Sequence, residues 1–298
     1  MEPALYLGGD SGSISPFYWQ YRDLKSAKVE RELAFEASSL RYQHRTLLAP
    51  LPALPNNPAG IFNALYLRVS RPADIRNTQL LIHRLEDDTQ REQAWLYLGT
   101  QRRVRRLATG QNTDAFLGSD IMIEDFLGYN GRIMDMHWRF LETREVLLPF
   151  YHHNDLSLDQ REGSDQAFGF VAFGGQGGCF PQIYWQFRRA HLVEAVPKSP
   201  DHPLSKRLYY VDAETYLPAY GRLYDNRGKL WKFAIAAYSH PDHHLTENAG
   251  SHVPIFDAAT MIDLQAGHCT TLQPRTVVNA PGIKASGFAV QALRSKGR

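Results

Sequence analysis

Short runs of alternating apolar and polar residues follow one another from residue 77 onward, separated by Gly, Asn and Asp. Ile183, Trp185 and Phe187, for example, alternate with more polar neighbours, as in a half-buried strand. We predict strands at residues 80–85, 94–98, 102–107, 132–140, 144–149, 183–195, 207–211 and 219–224. The tight-turn signal Asp-Asn-Arg-Gly at 225–228 predicts a hairpin into 229–238. This spacing favours an antiparallel barrel or sandwich over βαβ units, which need a helix between strands.

The first part of the chain has a different pattern. Residues 23–48 mix Lys and Glu with Leu and Phe, and their propensity predicts a helix. The Pro-rich stretch 50–58 cannot continue that helix. We therefore predict one domain, 1–298, with an N-terminal cover, 1–76, a β-barrel core, 77–240, and a C-terminal extension, 241–298. Long loops are expected at 107–120 and 152–181, and a short helix at 121–127, capped by Ser119 or Asp120.

Composition narrows the class of protein. The 298 residues are 43% hydrophobic and 21% charged, with a net charge of +2, which is typical of globular proteins and lacks the basic excess of a nucleic-acid binder. No apolar run is long enough for a transmembrane helix. Cys179 and Cys269 are too few for a disulfide framework or a structural zinc site. They would either pair in an oxidising compartment or remain two buried thiols, and the sequence leaves both readings open.

Two sequence blocks resemble a known family. The first, within 95–125, contains Trp95, Arg102, Val104, Arg105, Arg106, Phe116, Gly118, Ser119, Asp120, Glu124 and Asp125. The second, 184–233, contains the stretches HLVEA, KRLYYVDAET and YDNRGKLW. Both resemble proteobacterial periplasmic proteins of outer-membrane lipoprotein-sorting-like type, relatives of the lipid carriers LolA and LolB.

The resemblance implies a mainly β (α+β) fold, an incomplete antiparallel β-barrel with a few covering helices around a hydrophobic groove. It also implies a non-enzymatic periplasmic carrier without a cofactor, whose ligand is a lipid or acylated lipoprotein. Its partners would be an inner-membrane transporter and an outer-membrane acceptor. The N-terminus, MEPALYLGGDSGS, lacks the features of a secretory signal, so we expect a removed signal or a misassigned start.

Large apolar side chains on the predicted strands are the candidates for the groove. They are Trp95, Tyr97, Met134, Met136, Trp138, Trp185, Phe187 and Trp231. In a tightly closed barrel the same residues would fill a solid core, and the protein would then be an envelope protein–protein interaction module. A cluster of arginines has two possible roles. It would bind a lipid headgroup or a partner, or it would simply keep an edge strand from aggregating. The cluster consists of Arg102, Arg103, Arg105 and Arg106.

Three further patterns give weaker indications. Two stretches of the chain are rich in histidine: one has His240, His243, His244 and His252 near Asp242 and Glu247, and the other has His152 and His153 near Asp155. Neither stretch has the residue spacing of a helix-borne metal site, so no metal is expected. Gly118-Ser119-Asp120 lacks the second glycine of a hydrolase nucleophile elbow and favours a cap or turn, which leaves a hydrolase or metal enzyme as a remote alternative. The glycines at 174–178 predict an apolar flap or a surface loop.

Overall fold

One antiparallel sheet dominates the computed structural model, which describes residues 9–107, 111–161 and 168–296. The strands are β1 (Ser11–Asp23), β2 (Val29–Arg41), β3 (Ile61–Arg71), β4 (Gln79–Leu85), β5 (Gln93–Leu98), β6 (Arg103–Arg106), β7 (Met136–Leu148), β8 (Phe150–Tyr151), β9 (Leu158–Asp159), β10 (Phe170–Val171), β11 (Phe173–Gly174), β12 (Phe180–Pro181), β13 (Gln186–Pro197), β14 (Leu204–Asp212), β15 (Pro218–Asp225), β16 (Leu230–Ser239), β17 (Ile255–Asp263) and β18 (His268–Val278). One α-helix, α1 (Val290–Lys296), occurs in the described residues, with several single 3-10 turns. Among these helices, none combines the length and apolar character that crossing a membrane requires.

The sheet curves into a barrel that does not close. Its order is β6-β5-β4-β3-β2-β1-β18-β17-β16-β15-β14-β13-β7, and β8 adds a short parallel pairing to β16. The first and last long strands, β1 and β18, pair near the middle, from Gly12 opposite Val278 to Asp23 opposite His268. Within the described ranges β6 and β7 are the two edges. The predicted fold class, an incomplete antiparallel barrel with few helices, is confirmed.

The predicted N-terminal helix at 23–48 is wrong. Those residues form the end of β1 and all of β2, in which Leu33, Phe35 and Ala37 point alternately into the core. Packing on one face at every second residue overrides the helical propensity of the charged residues between them. The expected cover, 1–76, and the expected extension, 241–298, therefore both supply strands to the sheet.

Most other strand predictions are confirmed within a few residues, including the hairpin of β15 and β16. The two strands expected at 132–140 and 144–149 are one strand, β7. The helix expected at 121–127 is a single 3-10 turn, Ile123–Asp125, and its first turn is capped by Asp125, whose carboxylate accepts from the Met122 N–H (2.8 Å). Parts of the two predicted long loops lie outside the described residues.

Each face of the barrel wall is apolar where another segment covers it. The main core lies on the inner face, where residues from β1–β5 meet residues from β14–β18. On the outer face of β3–β5, Tyr66, Leu81 and Tyr97 pack under Phe288 and Leu293 of the C-terminal segment. The wall between residues 61 and 98 thus has two buried faces.

Candidate ligand cavity

Residues 114–131, the inserted segment, lie against the inner face of the barrel. The segment buries Phe116, Ile121, Met122, Ile123 and Phe126 in the main core. Phe116 packs edge-to-face on Phe126, with ring centroids 5.2 Å apart, and both rings lie within about 6 Å of Trp19 on β1. The segment therefore occupies much of the space that the barrel encloses.

A cavity of about 130 Å³ remains between the inserted segment and the barrel wall. Its lining is mainly apolar, with polar groups from Asp125, Arg207, Tyr209 and Thr260. The apolar lining comes from Ile14, Phe17, Trp19, Ala37, Leu65, Leu67, Ile121, Phe126, Leu127, Leu217, Pro218, Ala219, Tyr220, Leu223, Ala234, Ile235, Ala236, Tyr238, Phe256, Ala259, Met261 and Leu272. Apolar walls with a few convergent polar groups are typical of small-molecule sites.

A buried ion network fixes the inserted segment beside this cavity. Arg207 of β14, 1% exposed, donates to Glu124 (2.7 Å) and to Asp125. His202 contacts the same Glu124 carboxylate at 2.9 Å. Burial alone would raise the pKa of Glu124, but Arg207 and His202 outweigh it and hold the pKa below its ordinary value. One buried arginine thus pairs with two adjacent acidic residues of the inserted segment.

A second anchor holds Asp120. Its carboxylate accepts from the Thr270 hydroxyl (2.7 Å) and contacts His268 Nδ1 (2.9 Å), and its backbone carbonyl accepts from Lys232 Nζ (2.6 Å). The Ser119 hydroxyl bonds the backbone of Ile121 at 3.2 Å, the turn role that the sequence favours over a nucleophile. Three of the residues that carry the family resemblance, Asp120, Glu124 and Asp125, thus attach the inserted segment to the wall.

None of the eight predicted groove residues, all of them described, lines this cavity. Trp95 and Tyr97 point to the outer face, where Tyr97 is 2% exposed beneath the C-terminal segment. Successive side chains of a strand point to opposite faces, so Ala94 and Leu96 face inward. The two residues of β5 predicted for the groove therefore lie on its outer side.

The remaining predicted residues lie around the cavity or away from it. Met136 and Trp138 join a neighbouring cluster, in which Trp138 stacks on the lining residue Tyr209. Trp185 stacks on Tyr220, which also lines the cavity, and Trp231 packs against the main core. Met134 and Phe187 are exposed.

Sequence reasoning missed the contribution of β1. Phe17, Trp19 and Tyr21 recur at every second position there, a strand signal that would have placed them on one face. The predicted arginine patch lies at the sheet edge, with Arg102 in the turn before β6 and Arg103, Arg105 and Arg106 exposed on that strand. Its headgroup or partner role stays a prediction.

The histidine-rich regions meet in a second buried cluster. His153 and His244 both contact Asp257, at 2.8 and 3.1 Å, and Tyr151 donates to the same carboxylate at 2.9 Å. Burial alone would raise the pKa of Asp257, yet the two histidine hydrogen bonds hold it well below its ordinary value. His240, His243 and His252 remain at the surface.

The hydrogen bonds around His244 do not fit a metal ligand. Asn248 accepts from the Val278 N–H (2.9 Å) and donates to the Thr276 carbonyl (2.8 Å), which fixes its amide, and its Nδ2 faces His244 Nδ1 at 3.0 Å. Nδ1 must accept, so Nε2 carries the ring proton toward Asp257. A metal at Nε2 would move that proton to Nδ1, against another donor, whereas metal-binding histidines donate their second N–H to an acceptor.

The glycine-rich stretch is held in place. Gly177 has a φ of +65°, and a Cβ there would lie 2.7 Å from the Leu24 Cα, so only glycine fits. Cys179 lies directly after this stretch and before β12, and it forms a disulfide with Cys269 of β18 across a Cα–Cα distance of 6.1 Å. Of the two possibilities that the sequence leaves open for these cysteines, the structure shows the disulfide. The bridge packs on the outer face of the sheet with Ile262 and Phe233.

Comparisons with known proteins identify relatives of this chain. It is 27% identical over 225 residues to the uncharacterized protein PA3922 of Pseudomonas aeruginosa, covering 73% of this chain and 46% of that protein. The chain thus spans about half the length of this curated relative.

Solved structures share the fold. A domain of Vibrio parahaemolyticus named for outer membrane lipoprotein sorting superposes with a TM-score of 0.64 at 17% identity, covering 96% of this chain and 92% of that one. A DUF1329 family protein of Desulfovibrio piger gives 0.63 at 15% identity, with the same coverage. The LolA superfamily protein NE2245 of Nitrosomonas europaea gives 0.51 at 14% identity, covering 95% and 91%. Because residues 6–294 match the family described as "Protein of unknown function (DUF1329)", the chain belongs to that family.

Proposed function

We propose that this protein is a non-enzymatic periplasmic carrier that takes up a lipid or acyl chain on the inner face of its barrel. The observation that carries the proposal is an apolar cavity inside an unclosed barrel, covered by one inserted segment. Burial would supply the affinity, since each Å² of apolar surface removed from water contributes about 25 cal/mol.

The cavity volume indicates how the ligand would enter. About 130 Å³ is close to the ~150 Å³ of engineered cavities that hold benzene, and below the ~300 Å³ at which ordinary ligand pockets begin. An acyl chain would therefore have to displace part of the inserted segment. Phe116 and Phe126 are the side chains whose place it would take.

The anchors of the inserted segment are consistent with such an exchange. Polar contacts hold it at three places, from Asp120 to Lys232, from Glu124 and Asp125 to Arg207, and from Asn130 to Arg84 (2.6 Å). The apolar side chains that it offers to the core, Phe116 and Phe126 among them, take no part in these contacts. A ligand could replace the apolar contacts while the polar ones hold the segment close. We infer that the segment serves as a resident occupant of the groove.

The disulfide supports an extracytoplasmic location, because such bonds persist in oxidising compartments such as the periplasm. A carrier there would need a donor and an acceptor, and we propose an inner-membrane transporter and an outer-membrane acceptor for these roles. The arginine patch on β6 is the surface we propose for a headgroup or one of these partners.

The largely filled interior favours a second candidate, an envelope protein–protein interaction module. In that function the inserted segment would be a permanent part of the core. The two candidates differ in whether an apolar ligand competes with the segment.

The test is lipid extraction and native mass spectrometry of the purified protein, followed by titration with a fluorescent acyl-chain probe. We expect co-purifying lipid, and saturable probe binding once it is removed. Ala259→Phe should block binding because Ala259 lines the cavity. Ala266→Phe, the same change in an exposed turn, is the matched control and should bind as the wild type does. A wild type with neither bound lipid nor saturable binding would exclude the carrier and favour the interaction module.

A further inference from the structure

The edge strand β7 exposes both of its faces. From Arg139 to Glu145 every residue is exposed, and the strand pairs on one side with β13, the only strand it pairs with in the described ranges. Phe140 is 61% exposed and Leu147 55%, and Phe187, opposite Leu147 on β13, is 69% exposed. Exposed apolar side chains beside unpaired backbone groups are typical of a surface to which another strand adds.

The opposite edge of the sheet is built differently. Strand β6 has four residues, three of them exposed arginines, whereas β7 has thirteen. Short length and charge are the usual devices that keep an edge strand from pairing. β7 is long, carries charges of both signs and also exposes Phe140 and Leu147, so the two edges are not equivalent.

We propose that β7 pairs antiparallel with β7 of a second copy of this chain, about a two-fold axis at Thr143. Self-complementary charge points to a second copy. In this register Glu142 of each copy lies opposite Arg144 of the other, so that two ion pairs flank the axis. Within one chain these two side chains already contact each other along the strand, and each is 47% exposed.

Neighbouring two-fold registers lack this complementarity. An axis at Glu142 or Glu145 would set two glutamates opposite each other, and one at Arg144 two arginines. Like charges directly opposite each other destabilise a strand pair. The register at Thr143 places an uncharged residue on the axis with opposite charges on either side.

Cysteine cross-linking tests this register. The only cysteines of the chain, Cys179 and Cys269, are joined, so Thr143→Cys adds a single free thiol. Directly opposite Cα atoms in an antiparallel pair are about 4.5–5.5 Å apart, within disulfide range. We expect an oxidised species of twice the 33.9 kDa chain mass on a non-reducing gel. Glu145→Cys is the control, since its two copies would be about 13 Å apart along the strands. Equal cross-linking of both variants, or none of Thr143→Cys, would overturn the proposal.

Charge exchange provides a second measurement that needs no cysteine. Sedimentation of the full chain should show a dimer, and Glu142→Arg or Arg144→Glu alone should shift it to monomer, because each sets like charges together twice. The double variant Glu142→Arg/Arg144→Glu should recover the dimer. Both side chains are exposed, so each variant should fold, and circular dichroism checks that it does. A wild type that stays monomeric, or a double variant that dimerises no better than the single ones, would refute the pairing.

Discussion

At the scale of single residues, Arg207 joins the two sequence blocks that resemble the lipoprotein-sorting proteins. It comes from the second block, and its partners Glu124 and Asp125 come from the first. Taking such charges out of water is costly, and the cost is offset only while every member keeps its partner. The motif therefore has a physical meaning: it attaches the inserted segment to the wall.

Removal of Arg207 should be among the most destabilising single changes in this chain. Arg207→Ala leaves two buried carboxylates without their cation, and we expect a loss of about 3–5 kcal/mol in the free energy of unfolding, measured by urea denaturation. Arg227→Ala, in the exposed hairpin turn, is the matched control and should stay within about 0.5 kcal/mol of wild type. Similar losses in the two variants would mean that the network does not hold the segment.

The anchor at Asp120 should weaken as the pH rises. Burial alone would lower the pKa of His268, but its bonds to Asp120 and Glu30 outweigh burial and raise the pKa above 6.5. A group with a raised folded-state pKa stabilises fully below its unfolded pKa, and that contribution is lost as the pH rises through the folded pKa. The stability difference between wild type and His268→Gln should therefore shrink from pH 6 to pH 9. A pH-independent difference would show that the charge of His268 does not stabilise the anchor.

At the scale of elements, the sequence indicates which residues share a strand face but not which face is inner. On β5, both Trp95 with Tyr97 and Ala94 with Leu96 are apolar, because the inserted segment covers one face and the C-terminal segment the other. Alternation and turn spacing thus predicted the strands and left a barrel or a sandwich open, and the family resemblance implied the incomplete barrel. The lining of the cavity depends on contacts between distant segments, which no local pattern contains. The helix predicted at 23–48 is wrong for a similar reason. The charged residues of β2 have helical propensity, and packing against distant parts of the chain overrides it.

The inserted segment should control cavity size. Phe126→Ala removes a lining ring, and we expect a stability loss of about 3–5 kcal/mol together with tighter binding of the acyl-chain probe, because an enlarged apolar cavity stays dry and accepts apolar guests. Leu264→Ala, which removes an apolar side chain from the exposed turn between β17 and β18, should alter neither quantity. Unchanged or weaker probe binding by folded Phe126→Ala would contradict the role of the segment as a resident occupant.

At the scale of the whole molecule, the disulfide should stabilise the barrel without shaping the cavity. It links residues 90 apart in sequence, and a cross-link over such a loop restricts the unfolded chain, typically by about 2–4 kcal/mol. Its surroundings, Ile262 and Phe233, pack on the outer face, while Met261 lines the cavity from the adjacent position of β17. We therefore expect Cys179→Ser/Cys269→Ser to unfold at lower urea concentration, yet to bind the acyl-chain probe with wild-type affinity under conditions where both are folded. Reductant should lower the midpoint of the wild type and leave that of the double variant unchanged. Loss of probe binding in a folded variant without the bridge would contradict this expectation. The cavity would then depend on the outer face of β17 and β18, and the two faces of β17 would not be independent.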